Sequence, residues 1–341
     1  MMYCCAGCFD DIHLSEHINK IAVRKGDCSY CGATTVSVIT PDQLRDDFQA
    51  VAAAYLESQS EEARTLLDWF RVDWQMFSAL DDNSASRLLC DILDDAGYED
   101  RALTPVLSTN ESPVMKWSEF RAELLTQNRF FFRQNLDLKS LEVFLNRLEV
   151  PAQEIGTPLF RARVWSSGKE FQVAELGMPP PFLAKSGRAN PIGIPYLYAA
   201  STPETAIAEV RPHPGDRVSV VSLRMGSAAR LVDLRFPRRT VSPFMTLAEE
   251  EIPEFRHQME FFTHLEEELS RPVLPREADL EYLPTQYLCE FIKNCGYDGL
   301  VFRSSLSDGV NVTLFNESHV EYLEKSVYEV TRLTYSQRRF N

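Results

Sequence analysis

At 341 residues the chain is long enough for two or three domains with sizeable cores. It carries 50 acidic against 35 basic residues, a net charge of −15, and has no basic run interleaved with aromatics, which argues against general nucleic-acid binding. The start, Met1-Met2-Tyr3-Cys4-Cys5, has neither a basic n-region nor an apolar h-region, and no apolar run could span a bilayer, so a cytoplasmic protein without a membrane partner is expected.

Five of the eight cysteines fall within the first 31 residues. Cys5-Ala-Gly-Cys8 and Cys28-Ser-Tyr-Cys31 are C-x2-C pairs at the spacing of a four-thiolate zinc site, each knuckle pointing two sulfurs at one ion. The spacing therefore predicts a structural Zn2+ on Cys5, Cys8, Cys28 and Cys31 in a zinc-ribbon-like module over 1–39. Such an ion would hold together a segment too short to bury a core of its own. Cys4, His13 and His17 are spare donors for a shifted ligand set, and unmetallated thiols are the alternative. Cys90, Cys289 and Cys295 sit in predicted helices and read as reduced core thiols.

Residues 40–150 read as a small helical bundle. Thr40-Pro41-Asp42-Gln43 has the form of a capping box with proline at N1, and Leu44, Phe48, Val51 and Tyr55 recur on one face. Further helices are expected at 60–79, 84–96, 117–128 and 139–148. Between 42 and 100 there are 15 Asp/Glu and 4 Lys/Arg, which reads as a solvated acidic face. A helical nuclease of the Arg-x4-6-His type lacks its general base, because no histidine occurs between 18 and 212.

From Pro158 the texture changes to short β-branched runs punctuated by Gly and Pro. Strands are expected at 159–165, 194–200, 217–224, 230–234, 298–304, 310–315 and 319–323, and helices at 203–210, 245–270 and 284–295. The acidic helix, with Glu249-Glu-Glu251 and Glu266-Glu-Glu268, reads as a solvated insertion. No dinucleotide fingerprint, P-loop or nucleophile elbow is present.

The remaining polar residues suit cleavage of a nicotinamide dinucleotide. Loss of nicotinamide develops an oxocarbenium-like ribose, which calls for a carboxylate near the cation and donors for the pyrophosphate. Glu209 is expected on the first turns of a helix capped by Ser201 or Thr202. Arg188, in a turn after Gly187, could grip phosphate bidentately, and Tyr198 could stack on a base or ribose. Arg161 alternates with apolar neighbours, so it would project toward the same cleft, with Arg163 pointing the same way. Each residue also has an ordinary reading: Arg188 as a turn residue, Tyr198 as strand packing, Glu209 as a solvated helix carboxylate.

These residues stand in a longer series: Leu159-Phe-Arg161-Ala-Arg, Gly187-Arg188-Ala-Asn190, Pro195-Tyr-Leu-Tyr198-Ala-Ala, Thr205-Ala-Ile-Ala-Glu209-Val, Leu231-Val-Asp-Leu, Tyr282-Leu-Pro-Thr-Gln286, Gly296-Tyr-Asp-Gly-Leu, Arg303-Ser304-Ser305 and Asn311-Val-Thr-Leu-Phe315. In that order they make 158–323 resemble the RES domain, a family of NAD-degrading bacterial toxins that share architecture with ADP-ribosyltransferases. The resemblance implies that Arg188, Tyr198 and Glu209 are catalytic and that Arg161 and Arg188 hold the diphosphate. It further implies that Tyr198 orients the nicotinamide end, with Ser304 or Ser305 and Asn311 lining the nicotinamide-ribose pocket. Many members place Trp directly after the arginine, where this chain has Ala189.

The expected fold is α+β: a zinc-ribbon-like module (1–39), a helical regulatory domain (40–150), an ADP-ribosyltransferase-like mixed α/β domain (155–330) and a tail (331–341). The expected function is cleavage of NAD by water or phosphate as a toxin or anti-phage effector. Transfer of ADP-ribose to a protein or nucleic acid is the alternative, and a non-catalytic nucleotide-binding protein a third. The resemblance also implies an antitoxin or other regulatory partner, and it leaves homo-oligomer formation open.

Overall fold

The computed structural model describes residues 1–106, 113–133, 136–166, 168–245, 251–274, 276–334 and 339. They form two compact units, Met1–Ser118 with Phe236–Thr263, and Glu119–Arg235 with His264–Asn341.

In the first unit, strand Val36–Ile39 pairs antiparallel with Cys4–Cys5 on one side and Arg24–Gly26 on the other. Helix Ile12–Ile21 is capped by Asp11, whose carboxylate accepts from the Leu14 amide, and buries Leu14 and Ile18. Phe9, one residue past Cys8, packs against Phe48 and Phe77 at ring-centroid distances of 5.8 Å. Phe48 in turn stacks on Phe70 at 5.5 Å, so aromatic rings from separate segments supply much of this core.

Several helices differ from expectation. Thr40 makes no side-chain cap; Pro41–Leu44 winds as a 3-10 turn with the Gln43 amide on the Thr40 carbonyl, and the α-helix is Arg45–Ala52. Leu44, Phe48 and Val51 are buried as the pattern required, but Tyr55 leaves the helix for strand Tyr55–Glu57, paired with Leu103–Pro105. Helix 60–79 shortens to Leu66–Trp74, capped by Thr65 and ended by Gln75 at φ 55°. Helix 84–96 is Asp82–Leu93, ended by Asp94 at φ 54° rather than by Gly97. In both cases a polar residue takes the left-handed conformation that most often falls to glycine at a helix end. Helices Pro113–Thr126 and Leu138–Leu145 match their expected places.

The second unit is mixed α/β, built on an eight-stranded sheet. Its order is Val320–Glu329, Arg217–Met225, Leu159–Val164, Leu197–Ala200, Val310–Leu314, Gly299–Arg303, Arg230–Asp233 and Glu149–Pro151. Neighbours run antiparallel except Arg230–Asp233 beside Gly299–Arg303. One face buries Leu159, Leu197, Ala199, Val221, Leu223, Leu231, Val301, Val312 and Leu314 as a continuous core. Between Leu159–Val164 and Leu197–Ala200 the register holds only at Phe160 and Ala200, so the two strands splay and open a cleft.

The acidic helix is Ile252–Ser270; Glu249 and Glu250 lie outside the described residues. Its later glutamates are not a solvated face. Glu266 is buried and takes both Nε and Nη2 of Arg303, at 2.6 and 2.8 Å, while Glu268 is buried against Arg121 at 3.1 Å. Only Glu267 of the three is exposed, because the other two face basic partners that offset the cost of desolvating them.

Candidate functional site

The cleft has a volume of about 480 Å3 and is lined by Arg161, Arg163, Gly187, Arg188, Tyr198, Glu209, Arg211, Tyr282 and Asn311, with apolar residues between them. In a chain of net charge −15, four arginines against one carboxylate line this pocket among the described residues.

Arg188 sits on a loop held from several sides. Asn190 is buried and its Nδ2 bonds the carbonyls of Lys185, Pro191 and Ile194, at 2.9, 3.1 and 2.9 Å. From helix Leu283–Asn294, Gln286 Nε2 reaches the Gly187 carbonyl at 2.7 Å and Thr285 Oγ1 the Arg188 carbonyl at 2.6 Å. The Arg188 guanidinium lies over the Tyr282 ring at 5.2 Å and donates from Nη1 to the carbonyls of Glu268 and Arg271. Those carbonyls belong to the C-terminal end of helix Ile252–Ser270, where a cation is favoured. Among the described residues its Nε and Nη2 have no partner, so half of the fork is open to a ligand. Burial lowers its pKa, yet the group remains a cation at neutral pH.

Tyr198, on strand Leu197–Ala200, donates its hydroxyl to Asn190 Oδ1 at 2.7 Å and accepts from the Ala189 amide at 3.0 Å. Burial pushes its pKa up, so the phenol stays protonated. Ala189 is fully buried, and its amide does the ordering here without a large side chain. Gly187 is needed for the same reason: a Cβ there would lie 2.5 Å from Asn190 Oδ1 and 2.7 Å from the Tyr198 hydroxyl. Gly187→Ala is expected to cost about 1–3 kcal/mol in chemical denaturation through this overpacking. An unchanged midpoint would contradict the claim that the hydroxyl pair fills that space.

Glu209 is the last residue of helix Pro203–Glu209, which is only about two turns long and stops ahead of Pro212, so it lies on the first turns as expected. Thr202, not Ser201, caps it, accepting from the Thr205 amide. Glu209 Oε1 accepts from Ser304 Oγ and from Asn311 Nδ2, both at 2.7 Å. The second carboxylate oxygen accepts no bond among the described residues. Ser304 therefore touches the cleft's carboxylate from behind the lining, whereas Ser305, the other candidate, makes no such bond among the described residues; neither serine lines the cavity itself.

Arg161 is placed differently from its expected role. Its Nε, Nη1 and Nη2 donate to the carbonyls of Leu176, Tyr198 and Gly177, at 2.6, 2.9 and 3.3 Å. It thus ties the two splayed strands where their backbone ladder is missing. Burial, with the nearby Arg163, pushes its pKa down to about 10. Arg163 does point the same way and donates to the Gly177 carbonyl at 3.0 Å. Asn190, Tyr282, Thr285, Gln286 and Arg211 also build the site, beyond the residues expected there. All but Arg211 stand within the quoted motif blocks, which was the available signal.

At the other site, the Sγ atoms of Cys5, Cys8, Cys28 and Cys31 all lie within 4.8 Å of one another. Cys5–Cys31 and Cys8–Cys28 approach to 3.5 and 3.4 Å. Four thiolates 2.3 Å from one tetrahedral ion stand about 3.8 Å apart, so the donor set fits Zn2+. Cys4, His13 and His17 are not part of this group.

No curated protein matches the chain. Among solved structures, the M. tuberculosis MbcT–MbcA toxin–antitoxin complex matches with a TM-score of 0.33 and 10% identity, over 56% of this chain and 93% of that one. The family model described as the RES domain matches residues 158–336, which include every residue of the cleft. With more than half of its length so matched, the chain belongs to the RES domain family.

Proposed function

We propose that the cleft binds NAD and cleaves its nicotinamide–ribose bond, passing the ADP-ribosyl group to water or phosphate. The observation that carries this reading is a single oriented carboxylate, Glu209, in a pocket whose other charged lining residues, among those described, are four arginines. Such a pocket selects a polyanionic ligand on which a cation develops. Its volume lies within the roughly 300–1,000 Å3 usual for small-molecule sites.

In this reading the C1′–N bond breaks with its electron pair leaving on nicotinamide, and the open Glu209 oxygen faces the ribosyl cation. Ser304 and Asn311 hold the carboxylate in place, so little reorganisation accompanies charge development. Tyr198, kept protonated, positions the Gly187–Asn190 loop at the nicotinamide end. Arg188 supplies donors to the diphosphate.

We extend the proposal to a toxin or anti-phage effector restrained by an antitoxin or other regulatory protein. The expected boundaries 1–39, 40–150 and 155–330 are retained as a functional division in which the zinc module and helical segment are regulatory. Zn2+ on Cys5, Cys8, Cys28 and Cys31 would be structural, since four cysteines close its coordination. Adenine-labelled NAD tests the reading. Label confined to ADP-ribose or its 1-phosphate supports it, label on a macromolecule favours an ADP-ribosyltransferase, and unchanged NAD favours a binding protein.

A further inference from the structure

Arg161 and Arg188 were the two arginines expected on the diphosphate, yet all three guanidinium nitrogens of Arg161 are engaged with main-chain carbonyls. A group so engaged braces the splayed strands and has little left for a phosphate. The negative charge of a bound dinucleotide must therefore be met elsewhere in the cleft.

Arg211 lines the cleft two residues after Glu209 and is exposed to solvent. Among the described residues its side chain makes no hydrogen bond or ion pair. Its backbone lies in the left-handed region at φ 49°, between Val210 and Pro212. That conformation costs an L-residue about 1–2 kcal/mol, which glycine would not incur. A long cationic side chain is thus kept where local stability favours glycine, the pattern expected when the side chain serves a ligand. Arg211 and Arg188, with its two open nitrogens, line the same cavity.

We propose that Arg211 and Arg188 form a two-arginine clamp on the diphosphate of a dinucleotide, with Arg161 as the brace of the cleft rather than a ligand. The inference rests on the NAD reading above. Two planar forks, each with unengaged N–H groups, suit the oxygens of two adjacent phosphates. Arg211 follows the helix that carries Glu209, so one half of the clamp and the carboxylate are set by one segment.

Calorimetric titration of the full chain with ADP-ribose, and separately with nicotinamide riboside, tests the clamp. Arg211→Gly is chosen because it relieves the left-handed backbone, and Arg211→Asn, which also tolerates that region, guards against a folding defect. Both are expected to melt near the parent temperature yet bind ADP-ribose roughly ten- to a hundredfold more weakly, the loss of a charge-assisted pair. Arg211→Lys should fall between, and binding of nicotinamide riboside, which lacks the diphosphate, should be unchanged. Parent-like ADP-ribose affinity in Arg211→Gly would overturn the clamp while leaving the NAD reading intact. An equal loss for both ligands would overturn it too, by showing that Arg211 shapes the loop. Parent protein that binds neither ADP-ribose nor NAD would remove the NAD reading and the clamp together.

Discussion

Glu209→Gln is expected to reduce nicotinamide release from NAD by about a thousandfold, the scale of losing a preorganised electrostatic group in a shielded site. The substitution is nearly isosteric. Its amide oxygen can still accept from Ser304 Oγ and Asn311 Nδ2, so the loop after strand Gly299–Arg303 and the helix end at Glu209 keep their anchor. What is lost is the charge facing the developing ribosyl cation. The melting temperature should therefore stay within a few degrees of the parent, and ADP-ribose binding should persist. Turnover within a few-fold of the parent, in a variant that remains folded, would remove Glu209 from the chemistry.

Loss of metal is expected to unfold the N-terminal module. The described structure there is a three-stranded sheet of short strands and one ten-residue helix, whose buried apolar side chains include Phe9, Leu14 and Ile18. That is too little apolar burial to offset the backbone entropy of ordering the segment. A structural zinc on four thiolates contributes on the order of 10 kcal/mol. Purified protein should contain one zinc per chain, and Cys28→Ser or a strong chelator should abolish it. The expected consequence is a large loss of thermal stability in the first unit, since Phe9 would no longer pack against Phe48 and Phe77. Metal-free protein that melts like the metal-loaded form would contradict this.

Much of the cleft was legible because its residues are local in sequence or carry family motifs. Arg188, Tyr198 and Glu209 fall ten and eleven positions apart, and the structure lines one cavity with all three. The sheet strands around them were readable from short β-branched runs between Gly and Pro. What was not legible depends on pairing between distant segments. The brace formed by Arg161 needs the splay between Leu159–Val164 and Leu197–Ala200, which no local pattern encodes. The burial of Glu266 depends on Arg303, and that of Glu268 on Arg121, both far away in sequence, so their spacing alone read as solvated. Tyr55 left its helix because strand Leu103–Pro105 offered a ladder, a tertiary override of a helical period. The choice between Ser304 and Ser305 likewise needed the position of Glu209, set by a helix from a separate segment.

Time-resolved quantification of free nicotinamide on mixing the purified full-length protein with NAD tests the central claim most directly. Nicotinamide should accumulate in step with NAD loss, with ADP-ribose in plain buffer or ADP-ribose 1-phosphate where phosphate is the acceptor. NAD that stays intact in both buffers, while the folded protein binds it, would contradict the account and leave the cleft as a dinucleotide-binding site without chemistry.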